Sequence, residues 1–364
     1  MSKNKFCVFC GEKPKNKNKE HIIPKWLIKM TGDPNRDILV GLNQDGTIKK
    51  FSINQFTLPA CETCNTDFAK LEAETKPIME RILIGEKINS SEMSLILDWF
   101  DKVRIGLWLM YFVHDKNKAN VLPKFHIKKR IGQYDRMLHI ARSNSDEKRI
   151  NFLGVQNFSF QMTPSAFGLI INNCSFINTS FEGLTSRRMG FPFFKKKYFV
   201  YKNDQFIFRV DLNQEGLQRV LTPIITTKFL LKGHTYYQAI YNDGLIEAEE
   251  NLLSIYKSNE YVQENSLEFG KSKLISSYSN GTFYSKNEYI EVQKTNDYEN
   301  ITDLMMESMK QVLLLHIWID KNHLKLTFED IDKEFREAMK TRLKDSISLS
   351  EHDLKLCHQN KVLM

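Results

Sequence analysis

Two cysteine pairs stand in the N-terminal fifth of the chain, Cys7-Val8-Phe9-Cys10 and Cys61-Glu62-Thr63-Cys64. A two-residue gap lets both thiolates of a pair turn toward one ion, and two such pairs complete a tetrahedral sulfur site of the kind that suits structural zinc. Gly11 follows the first pair, where a left-handed turn is often required. A single Cys-x-x-Cys is equally a redox motif, but no thioredoxin-like strand and helix pattern surrounds either pair. Between the pairs lies Glu20-His21-Ile22-Ile23-Pro24, and Asn65 follows the second pair at once. Glu20 and the amide oxygen of Asn65 are hard oxygen donors suited to a largely hydrated Mg2+ or Mn2+. His21, whose imidazole ordinarily titrates near pH ~6.5, can take a proton from water at neutral pH. A cation that stabilises charge on a phosphorane and a base that generates the nucleophile are the parts needed for metal-assisted phosphodiester hydrolysis. The bland alternative packs His21 in a small core and leaves Glu20 exposed.

The elements that must position these groups can be read from periodicity. Pro24 opens a short helix through Trp26 and Leu27. From Asn65 the spacing of Phe68, Leu71, Ile78 and Ile82 predicts a helix that Pro77 should kink or divide. Ser94 to Val113 becomes apolar all round, which predicts a long, mostly buried helix in which Gly106 costs a little. Residues 115–130 form a basic connector interrupted by Pro123. From about Ile150 to Tyr289 short runs such as Phe167 to Ile171, Lys197 to Val200, Gln205 to Val210 and Tyr236 to Tyr241 predict strands. Helical spacing returns over residues 300–345, the last part as a helix from Phe328 to Leu343. Three segments result: a zinc-stapled module over 1–90, the long helix and basic connector over 91–130, and a larger α+β domain over 131–364.

The order Cys-x-x-Cys, Glu-His-x-x-Pro, Cys-x-x-Cys-Asn over about residues 1–85 resembles the HNH endonuclease superfamily with its ββα-metal fold. It is most similar to the four-cysteine variant with Asn in place of the last His, known from a phage endonuclease that resolves Holliday junctions. The resemblance implies that Glu20 and Asn65 hold a catalytic Mg2+ or Mn2+, that His21 is the general base, and that Cys7, Cys10, Cys61 and Cys64 bind a structural zinc. The chain departs from the pattern in three places. The 39 residues from Ile22 to Ala60 exceed the usual hairpin and imply an insertion, Phe68 replaces the acidic residue common one turn after the Asn, and the middle Asn has only Asn54 as its candidate. Glu72, two turns after Asn65, reads first as a solvated helix residue and second as an outer support of the site.

Length and composition set the outer bounds. At 364 residues and 41% apolar content the chain exceeds what one core usually supports, and disorder as a whole is excluded. The longest strongly apolar run, Ile105 to Val113, is far short of a bilayer span. Cysteines that pair by Cys-x-x-Cys point to a reducing, cytoplasmic setting, and Cys174 and Cys357 read as buried filler. Residues 1–50 hold ten Lys and one Arg against five acidic residues, a net of +6 out of +8 for the chain, which favours a polyanion as partner. Lys13, Lys15, Lys17 and Lys19 precede Glu20 directly, while Arg187-Arg188 and Lys195 to Lys197 extend the basic surface. His114, His126, His139 and His234 lack ligand spacing. The expected function is a metal-dependent HNH-type endonuclease acting on DNA, with RNA open, whose 131–364 domain recognises, senses or builds an oligomer with a second copy or another protein. Size suggests, by analogy alone, bacterial restriction or phage defence. The rival is a catalytically silent zinc ribbon that only binds nucleic acid or protein.

Overall fold

The N-terminal third folds in the order β1 (Lys17–His21), α1 (Lys25–Met30), β2 (Asp37–Leu42), β3 (Ile48–Ser52), β4 (Thr57–Cys61), α2 (Glu62–Ile84), β5 (Lys87–Ile88) and α3 (Ser90–Val113). The computed structural model describes residues 6–42, 48–113, 126–132, 136–180, 193–194, 197–202, 205–210, 217–218, 233–238, 272–276, 290–291, 298–324, 327–329 and 333–359. β1 and β4 pair antiparallel, with Lys17 opposite Cys61 and His21 opposite Thr57. The chain passes from β4 straight into α2, so two strands and one helix form a unit bracketed by the two cysteine pairs. The long interval between the strands holds α1 and the antiparallel hairpin of β2 and β3. Pro77 does not divide α2, contrary to expectation. Pro77 and Ala73 are both exposed, so water can serve the Ala73 carbonyl that the proline leaves without an amide.

α3 starts in a reciprocal cap: the Glu92 amide donates to Asn89 Oδ1 at 2.9 Å and the Asn89 amide to Glu92 Oε2 at 2.8 Å. Its residues Met93, Ile96, Leu97, Trp99, Phe100, Val103, Ile105 and Leu109 are all buried. Gly106 has a packing reason for its place, since a Cβ there would stand 3.0 Å from Cγ2 of Ile22, the residue after His21.

Beyond α3 come β6 (Arg136–Arg142), β7 (Ile150–Leu153), α4 (Phe158–Met162), β8 (Ala166–Ile171) and β9 (Cys174–Ser180). They are followed by β10 (Phe193–Phe194), β11 (Lys197–Lys202), β12 (Gln205–Val210), β13 (Leu217–Gln218), β14 (His234–Gln238), β15 (Ser272–Ser276) and β16 (Ile290–Glu291). The described part ends with α5 (Ile301–His323), β17 (Thr327–Glu329) and α6 (Lys333–His358). Six strands form an antiparallel sheet in the order β15-β14-β6-β9-β8-β7. Alternation in β8 explains how helices cover both faces. Phe167, Leu169 and Ile171 share a core with α3, whereas Ala166 and Ile170 share one with Leu304, Val312 and Ile319 of α5. The chain is therefore a mixed α+β protein with a cysteine cluster near its N-terminus. Among the described residues no helix is long and apolar enough to cross a membrane.

The strand region begins earlier than the sequence pattern suggests, at Arg136 rather than near Ile150. Arg136, His139 and Arg142 break the apolar pattern of β6, yet the whole strand is buried because its charges find partners. Arg136 Nη1 pairs with Asp98 at 2.6 Å and Asp101 at 2.9 Å, both on α3. Arg142 Nη1 donates to the Ile82 carbonyl at 2.7 Å and Nη2 to that of Leu83, capping the end of α2. The last helix also differs from expectation: it starts at Lys333 and reaches His358, and Phe328 lies instead in β17, parallel to β11. Replacing Arg136 by Met leaves the buried Asp101 and the partly buried Asp98 short of their shared cation. A loss of about 3 kcal/mol or more in urea unfolding is expected.

Candidate functional site

One sulfur atom from each of Cys7, Cys10, Cys61 and Cys64 lies within 4.8 Å of the other three. The first pair sits in a loop whose Gly11 has φ +79°, and a Cβ there would stand 2.8 Å from the His126 ring. Main-chain bonds from Ile127 to Val8 O at 2.8 Å and from Lys128 to Phe9 O at 3.1 Å hold that loop from the far side. The second pair straddles the junction of β4 and α2, so the pairing of β1 with β4 brings the two together. Amides point at the sulfurs: Cys61 N to Cys7 Sγ at 3.2 Å and Lys15 N to Cys61 Sγ at 3.3 Å. Burial opposes a charge on Cys7, but the main-chain groups of Cys10, Cys61 and Phe9 outweigh it and lower that thiol. Cys64 behaves oppositely, pushed up to about 12 by burial and then by the charge of Cys7 and Cys10. Several thiolates can share this space only around a cation. The four cysteines are placed to bind a metal ion, and the donor set is compatible with structural zinc.

Beside the cluster, a cavity of about 480 Å³ lies between β1, α1 and α2, lined among others by Glu20, His21, Lys25, Asn65 and Glu72. Neighbours in a strand point to opposite faces, yet Glu20 and His21 reach one cavity because His21 ends β1 and the chain turns at Pro24 into α1. Asn65 stands in the first turn of α2, and its Oδ1 is buried without a hydrogen-bond partner. An orphaned buried carbonyl oxygen facing a carboxylate-lined cavity suits a hard cation, so the oxygen donors present fit Mg2+ or Mn2+ chemically. Burial raises the Glu20 carboxyl above its ordinary range. Lys102 opposes that rise and the charge of Glu72 adds to it. His21 is held below its ordinary 6.5 by burial, then by Lys25 and Lys102, while a hydrogen bond with the Asn54 main chain acts in the other direction. The imidazole is therefore neutral, and able to accept a proton, at neutral pH.

The remaining sequence candidates find various places. The Asn54 side chain is outside the cavity: its Nδ2 donates to Pro34 O at 2.5 Å, tying the turn after α1 to the turn before β4. Phe68 stacks on Phe9 with ring centroids 4.1 Å apart, so it packs the start of α2 against the cysteine loop. Lys13, Lys15, Lys17 and Lys19 are exposed, and Lys19 lines the cavity. His139 Nδ1 shares a hydrogen bond with Thr235 at 2.9 Å, and Cys174 and Cys357 are buried. His114, Arg187, Arg188, Lys195 and Lys196 lie outside the described residues. Glu72 is not the solvated helix residue first expected: Lys102 of α3 pairs with both Glu72 and Glu20. Lys102 is the residue that sequence reasoning missed. Its signal was available, because a lysine inside a helix that is apolar all round must find a buried partner.

Comparison with known proteins finds no matching family model, no similar curated protein and no similar solved structure.

Two measurements check this geometry. Metal analysis of purified protein should return about one zinc per chain, and Cys61→Ser should lose it and unfold the N-terminal unit in circular dichroism, since two knuckles fill one site. Active, folded protein without zinc would sink the assignment. An NMR titration of His21 should give a midpoint below 6.5. Lys25→Ala should move it upward, because removing a cation favours the imidazolium.

Proposed function

We propose that the chain is a metal-dependent endonuclease of the HNH type that hydrolyses phosphodiester bonds in DNA, with structural zinc in the four-cysteine site. The observation that carries this reading is the convergence of the adjacent Glu20 and His21 of β1 with Asn65, remote from them in sequence on α2, on one cavity beside the cysteine cluster. Glu20 and Asn65 would hold Mg2+ or Mn2+, which when bound supplies charge stabilisation for the pentacoordinate phosphate. His21, kept neutral by burial and neighbouring lysines, takes the proton from the attacking water. Asn54 orients the imidazole through its main chain. The exposed lysines before Glu20 meet the phosphates that flank the scissile one. Restriction or phage defence is the biological setting this reading suggests.

One observation favours the rival, a zinc module that binds without cutting: Glu20 is already paired with Lys102. Nicking of supercoiled plasmid with and without Mg2+ or Mn2+ separates the two. His21→Ala should abolish cleavage while zinc content and circular dichroism stay unchanged, because the base acts on the transition state and not on the scaffold. Glu20→Ala and Asn65→Ala should shift the metal titration to higher concentration. Cleavage by His21→Ala at the wild-type rate would remove His21 from the role of base, and absence of any metal-dependent cleavage by the wild type would favour the binding module.

A further inference from the structure

Lys102 enters the cleft region from outside the strand-and-helix unit. Its side chain is 1% exposed, and its ammonium pairs with Oε1 of Glu20 on β1 and Oε1 of Glu72 on α2. It cannot easily swing away. A buried ammonium that abandons its carboxylates is costly, and the adjoining stretch of α3 is fastened on several sides. Asp101 accepts from Arg104 at 2.7 Å, Arg136 at 2.9 Å and the Gly132 amide at 3.0 Å, and Arg104 also donates to Asn178 of β9. The helix that carries Lys102 is thus set by the six-stranded sheet. Both acids line the cavity, so each has one oxygen held from below by Lys102, and the other oxygen is left for whatever the cavity admits.

We propose that Lys102 is a resident cation of this cleft: by sharing its charge between Glu20 and Glu72 it sets the net charge of the site and holds down its affinity for divalent ions. The inference rests on the metal-dependent reading of the same cleft and adds to it a positioning residue supplied by α3. Two carboxylates with one ammonium carry a single net negative charge, and without the ammonium they carry two. A divalent ion bound by the free oxygens would stand only a few ångströms from Nζ. At an effective dielectric near 20, repulsion over roughly 5 Å is enough to weaken ion binding by about tenfold or more. Lys102 is thereby the means by which the docked sheet tunes how much free Mg2+ or Mn2+ the cleft requires.

Calorimetric titration of Mn2+ into full-length, zinc-loaded protein tests this. Lys102→Met should bind Mn2+ about tenfold tighter or more, and Lys102→Arg, which keeps the charge, should stay within about threefold of wild type. Glu72→Gln should bind more weakly. The double variant Glu72→Gln, Lys102→Met restores the single net negative charge and should return to within about threefold of wild type. Unchanged or weaker binding by folded Lys102→Met overturns the proposal, as does a double variant as tight as Lys102→Met. Should Lys102→Met fail to fold, the double variant compared with Glu72→Gln carries the test: tighter binding supports the proposal and equal binding overturns it. The expected Mn2+ pattern without plasmid cleavage would defeat the endonuclease reading and leave this inference standing. Metal-dependent cleavage with no change in Mn2+ affinity among the variants would defeat the inference alone. Absence of Mn2+ binding in every protein would overturn both the inference and the metal-binding part of that reading.

Discussion

A helix buried along much of its length tolerates ionised residues only where each one meets an opposite charge, and α3 carries four within seven positions: the buried Asp101, Lys102 and Arg104 and the partly exposed Asp98. Their partners come from different parts of the chain, Arg136 from β6, Asn178 from β9, and Glu20 and Glu72 from β1 and α2. Removing a partner from a buried pair leaves an uncompensated charge, so these contacts hold α3 in one rotational and axial setting rather than adding much net stability. That setting decides the rest. It brings Trp99 and Phe100 into the aromatic cluster with Phe167 and Phe176, lets Ile22 approach Gly106, and puts an ammonium beneath two acids.

A second constraint works at the other end of the N-terminal unit. Four thiols within 4.8 Å of each other cannot all be ionised without a cation, as the opposite shifts of Cys7 and Cys64 illustrate. The small strand pair has little core of its own, so a metal joining the loop before β1 to the start of α2 would hold in register the two segments that carry Glu20, His21 and Asn65. Arg142, by capping α2 from β6, ties the far end of the same helix to the sheet. The cleft therefore lies between a metal-type staple at one end of α2 and a charge staple at the other.

Much of the local architecture was legible in the sequence. Cysteine spacing announced the sulfur cluster and the apolar circumference from Ser94 to Val113 announced α3, while the long interval between the cysteine pairs holds α1 and the β2–β3 hairpin. Less could be said where tertiary contacts reverse a local preference. Pro77 argues for a break in α2, but the helix continues through it with the Ala73 carbonyl open to water. The charges of β6 argue against a buried strand, but each finds a partner from a segment remote in sequence. Glu72 has the spacing of a solvated helix residue, and only the approach of α3 changes that.

The sequence by itself determined which groups can do chemistry near the N-terminus, because ligand type and two-residue or adjacent spacings are local properties that survive any arrangement of the remainder. It also determined the periodicities of the long helices, since a pattern of 3.6 residues is written within a single segment. Tertiary structure alone decided that Glu20, His21 and Asn65 line one cavity, that Asn54 supports the imidazole, and that Lys102 lies beneath the two acids. Those placements depend on pairings between β1 and β4 and between α3 and the sheet, over separations at which no periodicity records the partner. Charge compensation in a buried interior is a demand that a sequence states one side at a time, and only the folded chain brings the other side to meet it.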